Sequence, residues 1–450
     1  MAPEDGYSLG EISKASVEAV NMTHFGIICP ATTGHLNTMF PLGHELQRRG
    51  HRVTLFGVLD AETKTLAAGL GFRAIAKTEV PLGATAQALA QLGKMSGSEA
   101  LRYSINWLQQ ATVLLLCEAP DAIKEAGVEA LLVDQISPAG GTIAEFLNIP
   151  FVTVCSAVVM NQEPSVPPFF TSWSYNPAWW ARLRNSSGYW ALNRQTRPIG
   201  KAIVEYRQRW NLPIHSSRND AYSKLALISQ QPAEFEFPRC NLPQWSHFTG
   251  PFHDLTGREP ISFPFEKLTG QPLIYASMGA SMGTLQNRSS KIFPCIAEAC
   301  DGLDAQLVIS LGGGSSPESL QSLPAPLVVG YAPQLELLKK TTLTITHAGL
   351  NTVLESLSNG VPMVAIPIVN DQPGVAARLA WTGAGEFVPL SRLSVPKLRA
   401  AIKRVLTEES YKHNASRLQQ AIHRSGGVSR AADIIEQAVS TGKPVLSHAS

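Results

Sequence analysis

Apolar residues recur along this chain in short runs, separated by small-residue turns and by stretches with helical spacing. Residues 24–29 form an apolar run, ATTGHLN follows as a turn, and 38–49 place Met39, Leu42 and Leu46 on one helical face. Gly50 closes that helix, and 51–57 (HRVTLFG) reads as a second strand. The rhythm returns at 130–133 and 151–154, which predicts a parallel sheet wrapped by helices. Between 161 and 213 it breaks into a Pro- and Trp-rich segment, expected as an insertion over a cleft, with ordinary helix packing as the alternative. A Pro-rich stretch, 243–271, suits an interdomain linker. Strand-like runs restart at 273–277, 306–311, 327–329, 343–346 and 362–367, and a last helix, 429–439, follows Gly426 and Gly427. The expected organisation is an N-terminal extension (1–21), an N-terminal domain (22–242), a linker (243–271), a C-terminal domain (272–428) and a helical tail (429–450) packing back on the first domain. The fold class is α/β, with two doubly wound, Rossmann-like domains facing each other across a cleft.

Composition narrows the function. The 450 residues are 44% hydrophobic and 16% charged, with 35 Gly and 31 Pro, as in a well-cored globular protein rich in turns. A formal charge of +2 leaves no basic excess for a nucleic-acid backbone. The longest apolar stretches, such as 361–368, fall far short of the ~20 residues of a spanning helix, so no integral membrane association is expected. The first 21 residues carry acids and lack both a basic start and an apolar core, which argues against a secretory leader. Six scattered cysteines without metal-ligand spacing read as reduced thiols of a cytoplasmic protein.

Two Rossmann-like halves suggest a ligand held between the carboxyl ends of their strands. Neither GxGxxG after a strand nor GxxxxGK[ST] occurs, which disfavours dinucleotides and P-loop chemistry. The stretch 331–372, YAPQLELLKKTTLTITHAGLNTVLESLSNGVPMVAIPIVNDQ, carries the candidate donor site instead. The run 343–346 delivers His347 onto a turn with Gly349, and a helix starting near Asn351 points its free N–H groups at that turn, an anion site. His347, Asn351 and Thr352 offer hydrogen-bond donors, and Glu355, one turn on, offers acceptors for a ribose diol. Asp371 and Gln372, after 362–367, suit vicinal sugar hydroxyls. Taken singly, each of these residues also reads as a helix cap or a surface polar group.

This stretch resembles the nucleotide-sugar signature of family-one glycosyltransferases, through His347, Gly349, Asn351, Thr352, Glu355, Gly360, Pro362, Pro367, Asp371 and Gln372 in order. The resemblance implies a GT-B fold, with a UDP-sugar held by the C-terminal half and an acceptor by the N-terminal half. It places Tyr331 against uracil, Gln334 near base and ribose, His347, Asn351 and Thr352 on the diphosphate, Glu355 on the ribose, and Asp371 with Gln372 on the sugar. Tyr331 and Leu350 stand where the plant signature has Trp, which points to a bacterial-type variant. In ASMGASMGT, after 273–277, the second copy matches the family's phosphate turn and assigns Ser281, Gly283 and Thr284 to phosphate.

Transfer to a hydroxyl needs a base, and an imidazole has the appropriate pKa. His35 is expected on the loop after the first strand, just before the helix, and Asp134, after 130–133, is placed to accept from its other ring nitrogen. Capping or packing is the plain alternative for His35. The resemblance makes His35 the catalytic base and Asp134 its partner. No cofactor or metal is expected, because the helix dipole and His347 would neutralise departing UDP. The aromatic stretch VPPFFTSWSYNPAWW predicts a lipophilic hydroxylated acceptor, and NQEPSVPP resembles bacterial carotenoid glucosyltransferases. Arg182, Arg184 and Arg194 read as solvated charge, with weak peripheral membrane contact as the alternative. The reading is an inverting transferase moving glucose from UDP-glucose. Its alternatives are a nucleotide-sugar epimerase or a non-catalytic UDP-sugar-binding protein on the same fold.

Overall fold

The computed structural model describes residues 22–95, 97–253, 261–279, 286–312 and 327–447. In the first half, β1 (His24–Ile28), β2 (Arg52–Gly57), β3 (Gly71–Ala74), β4 (Ala130–Asp134), β5 (Phe151–Cys155), β6 (Leu227–Ser229) and β7 (Ser246–Phe248) form one parallel sheet of order β3-β2-β1-β4-β5-β6-β7. In the second, β8 (Leu273–Ser277), β9 (Gln306–Ser310), β10 (Leu327–Val329), β11 (Thr341–Thr346), β12 (Met363–Ala365) and β13 (Gly385–Phe387) form a six-stranded parallel sheet of order β10-β9-β8-β11-β12-β13. Both orders reverse once, between β1 and β4 and between β8 and β11, and such a switch point opens a crevice at the strands' carboxyl ends. The central strands are covered on both faces, which is why they read as continuous apolar runs: β1, β4, β5 and β8 are buried throughout.

Several elements differ from the sequence expectation. The first helix spans Thr33–Arg48, so ATTGHLN supplies its cap and first turn, with Thr32 extended before it. Packing of Leu36, Met39 and Leu42 in the core outweighs the weak helix propensity of Thr and Gly there. Ser246–Phe248 pairs with β6, so the stretch expected as a linker from 243 contributes an edge strand to the first sheet. The segment 161–213 contains two helices, Trp179–Gln195 and Arg197–Arg209. All six cysteines are free thiols.

The chain returns to its first half at the end. The helix Gly427–Thr441 places Ala431, Ile434, Ile435 and Ala438 in the same core as Met39, Leu42 and Leu46. Arg49 bonds Asp433 at 2.7 Å and Glu436 at 2.6 Å, and His51 Nε2 lies 2.9 Å from Glu436.

A third core joins the two halves, with Val158 and Phe235 from the first packed on Leu350, Val353 and Val375 from the second. Beside it, Arg378 of the helix Gln372–Trp381 donates from Nε (2.9 Å) and Nη2 (2.6 Å) to Glu236 Oε1, and Gln231 donates to Oε2 at 2.8 Å. The Arg378 guanidinium also lies 4.5 Å from the Phe237 ring centroid. Burial pushes the Glu236 carboxyl up, but Arg378, Arg239 and Gln231 outweigh it and hold it below its ordinary value. Gly374 makes this approach possible, because a Cβ there would stand 2.1 Å from the Phe169 carbonyl oxygen.

Glu236→Ala leaves Arg378 buried without its counter-ion and is expected to cost about 3–5 kcal/mol, read as a lower midpoint in thermal unfolding. Because the folded pKa is depressed, the wild-type contribution is present at neutral pH and lost as pH falls through the folded value, so the two proteins should converge in acid. Replacing both residues by Met should recover much of the loss. Equal midpoints at neutral pH for wild type and Glu236→Ala would show that the pair contributes nothing.

Candidate active site

The switch point of the first sheet assembles one half of the site. His35 sits in the first turn of Thr33–Arg48, not on a loop before it, and Asp134 ends the neighbouring strand β4. His35 Nδ1 lies 2.7 Å from Asp134 Oδ2, with the carboxylate side chain fully buried and the imidazole 23% exposed. A carboxylate at Nδ1 fixes the proton there and leaves Nε2 with its lone pair free to accept. Burial pushes the His35 pKa down, while the charge and hydrogen bond of Asp134, helped by Asp371, outweigh it and raise the pKa above its ordinary value.

Ser156, immediately after β5, completes this cluster: its Oγ donates to Asp134 Oδ2 at 2.6 Å and lies 2.7 Å from His35 Nδ1. Asp134 Oδ1 accepts from the Ile136 amide at 2.9 Å, so the carboxylate is held from both ends. A hydroxyl two positions past the apolar run 151–154, behind Cys155, was the available sequence signal for Ser156. Gln230, following the three-residue strand β6, gave none.

The second sheet supplies the facing half. His347 follows β11, and its imidazole fits between Gly279 and Gly349, where a Cβ would come within 2.6 and 2.5 Å of the ring. Burial pushes its pKa down to about 4, with the Ser277 backbone offsetting part of this, so the ring is neutral near pH 7. Its Nδ1 has no hydrogen-bond partner among the described residues. The helix Leu350–Ser358 begins beside it with Gly349 as N-cap. Gln334 Nε2 donates to Glu355 and, at 3.4 Å, to Thr352 Oγ1, while Gln334 Oε1 accepts from Tyr275 at 3.1 Å. These contacts gather Gln334, Thr352 and Glu355 at one place. Tyr331 is 52% exposed, leaving its ring free to stack.

Asn351 faces the other domain: its Nδ2 donates to the Gly34 carbonyl at 2.9 Å, and its Oδ1 accepts from Gln230 Nε2 at 2.8 Å. Gln230 Nε2 also reaches the Ser156 carbonyl at 2.7 Å and Thr38 Oγ1 at 3.1 Å, connecting the expected phosphate helix to the His35 cluster. Asp371 likewise comes from the second half yet acts electrostatically on His35 and is bonded by the Val158 amide. Burial raises the Asp371 pKa, and His35 opposes that rise. Gln372 Oε1 accepts from the Ile368 and Val369 amides at 2.9 and 3.0 Å, leaving its amino group for a ligand. Ser281, Gly283 and Thr284 lie outside the described residues. Among the described residues, no group of three or more His, Cys, Asp or Glu is placed to hold a metal ion.

The family model described as UDP-glucoronosyl and UDP-glucosyl transferase matches residues 108–431. The chain belongs to this family. The transferase is 33% identical over 430 residues to a zeaxanthin glucosyltransferase of Pantoea ananas, covering 95% of this chain and 98% of that protein. It is 31% identical over 434 residues to a zeaxanthin glucosyltransferase of Pseudescherichia vulneris, covering 94% and 100%. Among solved structures, the glycotransferase of kitacinnamycin superposes with a TM-score of 0.72 at 20% identity, over 93% of this chain and 99% of that one. The calicheamicin glycosyltransferase CalG4 gives 0.69 at 20% identity, over 94% and 100%. The transferase therefore has the GT-B fold.

The contacts of His35 generate a pair of opposed shifts, measurable by nuclear magnetic resonance titration of its ring. Asp134→Asn removes the charge that raises the pKa and should lower the midpoint. Ser156→Ala removes a donor competing for the same carboxylate oxygen and should raise it. A midpoint unmoved in Asp134→Asn would mean that the 2.7 Å contact does not govern the imidazole.

Proposed function

We propose that the transferase moves glucose from UDP-glucose to a hydroxyl of a lipophilic small molecule, with inversion at the anomeric carbon. The observation that carries this reading is the His35–Asp134 contact of 2.7 Å, within electrostatic range of Asp371 from the second half. His35 Nε2 takes the acceptor proton as the hydroxyl oxygen bonds to the anomeric carbon. The bond from that carbon to the diphosphate oxygen breaks, and its electron pair leaves with UDP. Asp134 stabilises the imidazolium that forms, with Asp371 adding a second negative charge. Charge on the leaving diphosphate meets the N-terminus of Leu350–Ser358 and a neutral hydrogen bond from His347.

The donor would be held by stacking of uracil on Tyr331, by Gln334 and Glu355 at the ribose, and by Asn351, Thr352, His347 and the 281–284 turn at the diphosphate. Asp371 and Gln372 would read the sugar hydroxyls. Two relatives named for zeaxanthin support a carotenoid-like, hydroxyl-ended hydrocarbon as acceptor. The reading uses neither a metal nor a cofactor.

His35→Ala should lower turnover roughly a hundredfold to ten-thousandfold while UDP affinity by calorimetry stays unchanged, since the base touches the acceptor only. A variant with a near-normal rate rules out the role. Asp371 and Gln372 suit equatorial hydroxyls, and galactose with an axial 4-hydroxyl leaves polar groups unpaired, so UDP-glucose should be preferred about tenfold or more over UDP-galactose. Equal turnover at matched concentrations would show that the pair does not select the sugar.

A further inference from the structure

The helix Trp179–Gln195 is turned inside out relative to an ordinary surface helix. It packs on the protein through Ala181, Asn185, Gly188 and Tyr189, and presents Trp179, Leu183 and Trp190 to solvent, 74%, 62% and 65% exposed. At 100° per residue these three positions, with Arg194, fall within about 60° of the helix circumference and form one stripe. Surface helices place their apolar stripe toward the core and polar residues outward, so an exposed stripe of this kind calls for an occupant.

Charge identifies the occupant. Between Glu163 and Glu205 the chain carries Arg182, Arg184, Arg194, Arg197 and Lys201 and no acidic residue. Arg182, Arg194, Arg197 and Lys201 are exposed. At the carboxyl end of the helix, a cleft of about 490 Å³ is lined by Arg197, Lys201 and Arg218, with Glu205 as its one carboxylate. Outward tryptophans and leucine beside arginines without counter-ions match the interface of an anionic bilayer, where indole rings sit at headgroup level and guanidinium groups meet phosphate. A basic stripe has no such match on a second copy of this chain, whose own stripe carries the same charge.

We propose that this helix docks the transferase peripherally on an anionic phospholipid membrane, with the Arg197–Lys201–Arg218 cleft taking a lipid phosphate. No helix among the described residues is long and apolar enough to cross a membrane. The docked face connects directly to the site. The helix is fastened to the 158–170 loop by Asn185 donating to the Pro164 carbonyl at 2.9 Å, by Tyr189 to the Val166 carbonyl at 3.3 Å, and by Gly188 against Pro168 and Trp173. The same loop bonds Asp371 through Val158 and abuts Gly374 through Phe169. A membrane under this helix thus lies beside the loop that bonds Asp371, itself within electrostatic range of His35, a position from which a lipid-dissolved acceptor reaches the cleft without crossing water.

The test is co-sedimentation of the full chain with vesicles of mixed phosphatidylglycerol and phosphatidylcholine, compared with phosphatidylcholine alone, with tryptophan emission followed in parallel. It reads membrane binding without turnover, so it stands or falls separately from the transfer reading. Binding to the anionic vesicles should be about tenfold stronger or more, weaken as salt is raised, and shift emission to the blue. Combined Trp179→Ala, Leu183→Ala and Trp190→Ala should lower binding about tenfold or more without lowering the unfolding midpoint. Arg197→Glu with Lys201→Glu, on the exposed surface, should abolish the preference for anionic lipid and serves if the triple variant fails to fold. Equal binding to both vesicle types, no binding to either, or undiminished binding by both variants overturns the proposal. So does a wild-type dimer that the triple variant converts to monomer, which would assign the stripe to a second copy.

Discussion

For His35 to serve as base toward a donor held by the other sheet, as proposed, the two carboxyl edges must be held in fixed register, and the contact between Arg378 and Glu236 fastens the two halves. The pair lies in a buried seam with Phe237 and Gln231, at the flank of the helix whose first turn carries Asp371 and Gln372. Buried ion pairs add little net stability over apolar packing, but two guanidinium donors converging on one carboxylate oxygen, with Gln231 on the other, accept only a narrow range of geometries. Its effect is therefore on register. A slide of the helix along the seam would separate Arg378 from its carboxylate and drive the backbone at Gly374 off the Phe169 carbonyl. With the helix so placed, Asp371 comes within electrostatic range of His35, and Asn351 reaches Gly34 and Gln230.

The two histidines of the site then take opposite characters from their surroundings. His35 has a buried carboxylate at Nδ1 and a second beyond it, so its affinity for a proton rises despite burial. His347 is enclosed between Gly279 and Gly349, and burial keeps it neutral. One imidazole is poised to take a proton and the other to donate a hydrogen bond, which is the division that displacement of a diphosphate by a hydroxyl requires. Asn351 adds coupling between the halves, since the side chain proposed for phosphate is already bonded to Gly34, in the helical turn that carries His35.

The doubly wound class was legible because buried parallel strands leave continuous apolar runs and their turns leave small residues, and both signals are local. His35 and Asp134 were legible as a pair because one follows and the other ends a strand flanking the same switch point. The strands β6, β7 and β13 were not: Leu227–Ser229, Ser246–Phe248 and Gly385–Phe387 mix polar or small residues into three positions, unlike the apolar Leu327–Val329 and Met363–Ala365, and are defined by their pairing partners. Ser156 and Gln230 act through residues distant in sequence, and Asn351 turned to the opposite domain for the same reason. The aromatic stretch showed its composition but not its direction: Trp179 and Trp190 face outward, which only the packing of Ala181, Asn185 and Gly188 could decide.

The proposed reaction is a single displacement in which His35 strips the acceptor proton as the oxygen attacks from the face opposite UDP. Stereochemistry tests it most directly. The anomeric configuration of the product formed from α-linked UDP-glucose, read from the coupling of its anomeric proton by nuclear magnetic resonance before any rearrangement, should be β, with the large coupling of a diaxial pair. An α-linked product would mean retention, which one displacement cannot give, and would contradict both the geometry assigned to His35 and the mechanism built on it.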